Sequence, residues 1–192
     1  MLPGPDDGAP RGGGAAGAPG APGAPDDPDL TTWARGLGAI QEAERLGSAR
    51  LGTEHLLLAS LLDPVTRRLA HDAGLDFSAV QRHLGPPVRV GVGAGTGALP
   101  TTEQMYRSDG ATRVLSTLRD GAADEPRLTG WVRPDRSTDP RGRSVLRRRL
   151  LALLLEDTAP GAARTALDQL ATGSRAAWLV EQLNGPDAWG ER

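Results

Sequence analysis

The side chains able to do chemistry in this chain are few, and what is missing narrows the choice. There is no cysteine. That excludes disulfides, thiolate metal sites and a cysteine nucleophile. There is no lysine either, so all 22 residues in the Lys+Arg total are arginine. A phosphate-loop lysine and a Schiff-base lysine are therefore excluded. The imidazoles are His55, His71 and His83. Their spacings fit no compact metal motif, and cysteine cannot complete a ligand set. His71-Asp72 reads as a surface pair. His55, beside Glu54 at the start of an apolar helix, reads as a packing and hydrogen-bonding residue. No serine sits in a nucleophile elbow. Catalysis, metal and cofactor are all absent from the expectation.

Two clusters remain. The first is Gly52-Thr53-Glu54-His55. Thr53 has the side chain of an N-cap, and Glu54 falls in the first turn, where the helix dipole favours an anion. The second is the run of five arginines between 141 and 149, namely Arg141, Arg143, Arg147, Arg148 and Arg149. Cations at a helix start oppose the dipole, so an acidic partner is one reading. A solvated helix start is the plainer one. Nucleic-acid binding would call for stacking aromatics or a recognition helix as well. Trp131, with Val132, is a further candidate partner contact, because tryptophan is enriched where binding energy concentrates. It could equally tuck back onto the domain. The glycine-rich run Gly91–Gly97 contains no Gly-x-Gly-x-x-Gly and precedes no apolar helix, which argues against a nucleotide loop.

The elements that must position these residues read as helices. Aromatics make up 3% of the chain, so leucine, alanine and valine must build the core. Residues 1–29 are Gly, Pro, Ala and Asp without apolar periodicity, and a disordered tail is expected. Trp33, Leu37, Ile40, Ala43 and Leu46 fall on one helical face, ended by Gly47. The organising helix follows at Thr53–Leu62, with a broad leucine face. Asp63-Pro64 caps and starts the next helix, whose inner residues are Val65, Leu69 and Ala73 and whose C′ residue is Gly74. Asp76 caps a fourth, carrying Phe77, Val80 and Leu84. Gly85-Pro86-Pro87 stops it.

The pattern then returns. Ser108 or Asp109 caps a helix with Ala111, Val114, Leu115 and Leu118. Leu150–Asp157 matches Leu56–Asp63. Thr158-Ala159-Pro160 opens a helix with Ala163, Ala166, Leu167 and Leu170 inward. Ser174 caps a last one, with Ala177, Trp178, Val180 and Leu183 as its apolar residues. The expected fold is all-α: two tandem four-helix repeats related by a pseudo-twofold. Repeat 1 spans 30–85, a linker 86–107, and repeat 2 spans 108–184 with an inserted loop at 122–143. Residues 185–192 form a short tail.

Gly-Thr-Glu-His-Leu-Leu-Leu, followed by a second apolar turn and set in this duplicated frame, resembles the Clp N-terminal (Clp repeat) domain. The first half matches well, and the second in its apolar frame only. The resemblance implies a protein-binding module that captures substrates or adaptors for a Clp unfoldase. In ClpC-type members the Thr-Glu pair helps form a site for phosphoarginine marks. Only Thr53 and Glu54 match that pattern here, because the aligned positions of the second half are Leu146-Arg147-Arg148-Arg149. No Gly-x-x-x-x-Gly-Lys-Ser/Thr occurs, so the chain is expected to be a stand-alone N-domain without AAA+ modules.

The expectation is a non-enzymatic adaptor, substrate-capture or decoy factor for Clp-dependent proteolysis. Its partners would be an unfoldase, an adaptor, a substrate or a small natural product. A nucleic-acid-associated regulator using Arg141–Arg149 is the alternative. The net charge of −2 gives no global bias toward nucleic acid. With no secretory signal and no run long enough to span a bilayer, a cytoplasmic monomer is the default.

Overall fold

A computed structural model describes residues 28–84, 106–123, 140–170 and 173–185. In chain order these form α1 (Pro28–Leu37), α2 (Ala39–Arg45), β1 (Arg50–Leu51), α3 (Thr53–Ser60), α4 (Pro64–Asp72) and α5 (Phe77–His83). After them come β2 (Tyr106–Arg107), α6 (Asp109–Ala123), α7 (Pro140–Glu156), α8 (Ala162–Leu170) and α9 (Gly173–Asn184). The described residues are mostly helical, which a core of leucine, alanine and valine favours. Helix α1 begins at Pro28, inside the stretch 1–29 expected to be a tail. The rest of that stretch, most of the expected linker, Trp131 and residues 186–192 of the expected 185–192 tail lie outside the described residues.

Helix α3 is the centre. Leu56, Leu57, Leu58 and Leu61 have no accessible surface. Burial runs without interruption from His55 to Ser60, so this helix is enclosed on every side rather than amphipathic. Ser60 survives there because its hydroxyl donates to the Leu57 carbonyl at 2.7 Å. Helix α7 lies against α3 and contributes Leu150, Leu151, Ala152, Leu154 and Leu155. Around this pair, α3 touches α8 and α7 touches α4. Helix α4 lies against α9, and α5 against α8; α1 meets α7, and α3 meets α6.

The caps follow local rules. Asp63 accepts from the Thr66 N–H at 2.8 Å and from its hydroxyl at 2.9 Å. Pro64 takes the first helical position of α4. Asp76 accepts from the Ala79 N–H at 2.9 Å. Gly47 and Gly74 both have positive φ, 66° and 87°. Each closes a Schellman motif: Ser48 N–H to Ala43 O at 2.9 Å, and Leu75 N–H to Ala70 O at 2.8 Å.

Four expectations are corrected. The helix expected over Trp33–Leu46 is two helices, broken at Gly38 with φ 92°. A Cβ at Gly38 would meet Leu62 Cδ1 at 3.0 Å and Arg147 Nη2 at 3.1 Å. In α4, Val65 is 49% exposed, and the inner residues are Thr66 and Ala70 with Leu69 half-buried. The Asp63 cap satisfies the Thr66 hydroxyl, which lets that residue turn inward. In α9, Trp178 is 39% exposed and Ala177 is exposed, while Leu179 and Leu183 are buried. Finally, both ends of the stretch expected as an inserted loop, 122–143, are helical: α6 runs to Ala123 and α7 begins at Pro140. Ala122 is buried within α6, and Gly142 within α7.

One feature leaves no periodic trace in the sequence. Strands β1 and β2 pair in parallel, Arg50 with Tyr106 and Leu51 with Arg107. The Ser108 N–H extends the ladder by donating to the Leu51 carbonyl at 2.8 Å. This ladder ties the start of α3 to the start of α6, and so sets the frame of the candidate site.

Candidate binding site at the start of helix α3

The chain enters α3 through an extended Gly52 (φ −110°, ψ 174°), which is the N-cap residue. Thr53 is therefore the first helical residue and not the N-cap that local pattern suggests. Its hydroxyl is turned to another helix. Thr53 Oγ1 accepts from the Ala163 N–H at 3.4 Å, at the start of α8. Two glycines make room for it. A Cβ at Gly161 would sit 3.2 Å from Thr53 Oγ1, and one at Gly110 would sit 3.1 Å from Thr53 Cγ2. The N-termini of α3, α6 and α8 thus converge on one threonine, and their positive dipole ends add there.

Capping of α3 is supplied by His55. Its Nδ1 accepts from the buried Gly52 N–H at 2.9 Å. This is the returning half of a capping box, with imidazole in place of the usual carboxylate. An accepting Nδ1 is unprotonated, so the neutral ring carries its proton on Nε2. The ring is 2% exposed, and burial pushes its pKa down, against the raising effect of Glu54.

Glu54 is partly open to solvent, with 27% of its side-chain surface accessible. Its carboxylate folds back over the α-carbon of Gly52, in the space that a Cβ would fill. Glu54 Oε1 lies 3.4 Å from His55 Nδ1. A half-exposed Arg113 lies beside Gly110, its Nη2 3.9 Å from where a Cβ would be. The same Nη2 pairs with Asp157 at 2.9 Å. The arrangement offers a carboxylate to a cation, and helix N-termini with a guanidinium to an anion.

The arginine cluster sits elsewhere, inside α7. Of the five, Arg141 is exposed and the other four are partly buried. Arg147 Nε donates to the Leu37 carbonyl at 3.0 Å, at the end of α1. Burial lowers its pKa, as does Arg143, while Asp63 and Glu42 raise it. Burial likewise lowers the pKa of Arg148, with Asp63 acting against it. The Arg149 guanidinium packs on Gly121, where a Cβ would come within 2.7 Å of Nη2. Thr53 and Glu54 are therefore brought together at one junction, and Arg147 and Arg148 at another. Gly110, Gly161, Arg113 and the Ala163 N–H were not marked by sequence reasoning. The signal present was a glycine near the start of each adjoining helix.

Among the described residues no group of three or more His, Asp or Glu is placed to hold a metal ion. No helix there is long and apolar enough to cross a membrane. Compared with family models, curated proteins and solved structures, the chain matches none.

Proposed function

We propose that this chain is a non-catalytic protein-binding module of the Clp N-terminal type, built from two four-helix repeats. It would serve as an adaptor, substrate-capture or decoy factor in Clp-dependent proteolysis. The repeat reading is supported by reciprocal packing. If α1, α3, α4 and α5 correspond to α6, α7, α8 and α9, each contact between the two halves has its mirror. The pair α3–α8 mirrors α7–α4, α4–α9 mirrors α8–α5, and α1–α7 mirrors α6–α3.

The observation that carries the functional reading is the junction at Thr53. A partly open carboxylate, Glu54, stands beside converging helix N-termini, with the Arg113 guanidinium near by. A phosphorylated guanidinium presents the complementary pair of groups: a cationic fork for Glu54 and an anion for the positive ends of the converging helix dipoles, with Arg113, held by Asp157, adding its field. The chain would hold one such site. At the mirrored junction, the start of α4, the field of Asp63 acts on Arg147 and Arg148. The same engagement weakens the nucleic-acid alternative, because Arg147 and Arg149 are occupied by the fold.

The test is capture from lysate of the source cells, with wild type and Glu54→Ala as baits. The proposal expects a Clp unfoldase, its peptidase or their substrates to be recovered by wild type and depleted with the variant. Recovery of nucleic acid without any Clp component would overturn it.

A further inference from the structure

Three observations concern His55 independently of any ligand. It is the only acceptor provided for the Gly52 N–H among the described contacts, at 2.9 Å. Both residues are buried. A carboxylate oxygen, Glu54 Oε1, waits 3.4 Å from the same Nδ1 atom. Nδ1 can serve one of these neighbours at a time. Unprotonated, it accepts from Gly52. Protonated, it becomes a donor, and two N–H groups then face each other. The imidazolium must turn to Glu54, and the buried Gly52 N–H loses its partner.

We propose that the entry to α3 is a proton-operated latch, closed while His55 accepts from Gly52 and released when His55 pairs with Glu54. The consequence extends beyond one helix turn. Gly52 follows Leu51 directly, and the Leu51 carbonyl accepts from Ser108 at 2.8 Å. Release at Gly52 therefore loosens the β1–β2 ladder, which ties α3 to α6. The charges acting on the ring are Glu54 from α3, and Glu42 and Arg45 from α2. Glu42 and Arg45 are paired with each other at 2.8 Å, which leaves Glu54 as the carboxylate free to answer the proton. The other histidines do not share this setting, for His71 and His83 are exposed.

The test is a nuclear magnetic resonance titration of the full chain from pH 8 to pH 4.5, following the histidine ring nitrogens and the backbone amides. The latch requires the His55 ring to be the Nε2–H tautomer at the alkaline end. It requires the Gly52 and Ser108 amides to shift with the His55 midpoint, and amide exchange at both to rise at least tenfold across it. In His55→Gln, which keeps an acceptor and cannot titrate, both amides should be flat over this range. Should that variant fail to fold, Glu54→Gln provides the check. Removing the carboxylate should move the His55 midpoint to lower pH. Amides that ignore the His55 midpoint, amides that follow His71 or His83, or a midpoint unmoved in Glu54→Gln would each overturn the latch.

Discussion

Replacing Arg147 by methionine separates a structural arginine from a surface one. Arg147 Nε donates to the Leu37 carbonyl at 3.0 Å, the last carbonyl of α1, at the point where Gly38 breaks the helix. Methionine retains most of the apolar stem and removes the donor and the charge. A hydrogen bond from a charged group is worth about 1.5–3 kcal/mol, and a cation at a helix C-terminus adds about 0.3–1 kcal/mol. Against this stands the burial of the guanidinium beside Arg143, which pushes the pKa of Arg147 down. Methionine recovers that desolvation cost. The net loss should be about 2 kcal/mol, set by the stranded carbonyl more than by the charge. With a urea slope of about 2 kcal/mol per molar, the midpoint should fall by ~1 M. The assay is equilibrium urea unfolding followed by circular dichroism, with Arg141→Met alongside. Arg141 is exposed, so its variant should stay within about 0.5 kcal/mol of wild type. Equal midpoints for the two variants would refute the assignment and return Arg147 to the surface patch.

Two further outcomes follow from the same contacts. Gly38→Ala should cost about 2 kcal/mol in thermal or urea unfolding, since a left-handed φ alone costs about 1–2 kcal/mol. The added methyl would also press on Leu62 and Arg147, at 3.0 and 3.1 Å; a neutral result would mean that the break between α1 and α2 is not held in place. Stability should also depend on pH through His55. Its folded pKa is lowered by burial relative to about 6.5 in the unfolded chain, so the unfolded state binds the proton first. The contribution is complete above that unfolded value and is lost as pH falls through the folded one. One proton limits the slope to about 1.4 kcal/mol per pH unit. Unfolding at pH 7.5, 6.5 and 5.5, with His55→Gln as reference, reads the difference, and identical slopes would contradict the burial argument.

What was legible in the sequence was local. Asp63-Pro64, Asp76, Gly47 and Gly74 announce their caps because a cap needs residues within one turn. The leucines at 56–58 and 61 announce a buried helix by density alone. The rest depends on distant partners. Thr53 obeys the N-cap rule on paper, yet His55 takes over the capping and leaves the hydroxyl for Ala163, 110 residues away. Arg147 reads as a basic surface until Leu37, also 110 residues away, is placed against it. Two-residue strands are too short for alternation to show. Trp178 and Leu179 are adjacent in an apolar run, so periodicity could not decide which of them the fold would bury.

The most direct test of the account is calorimetric titration of phosphoarginine, with arginine and inorganic phosphate as controls, into wild type, Glu54→Ala and Arg147→Met. Saturable one-to-one binding of phosphoarginine by wild type and Arg147→Met, weakened at least tenfold in Glu54→Ala, is the predicted result. Binding indifferent to Glu54, or no preference for phosphoarginine over its two components, would contradict a recognition site at the start of α3.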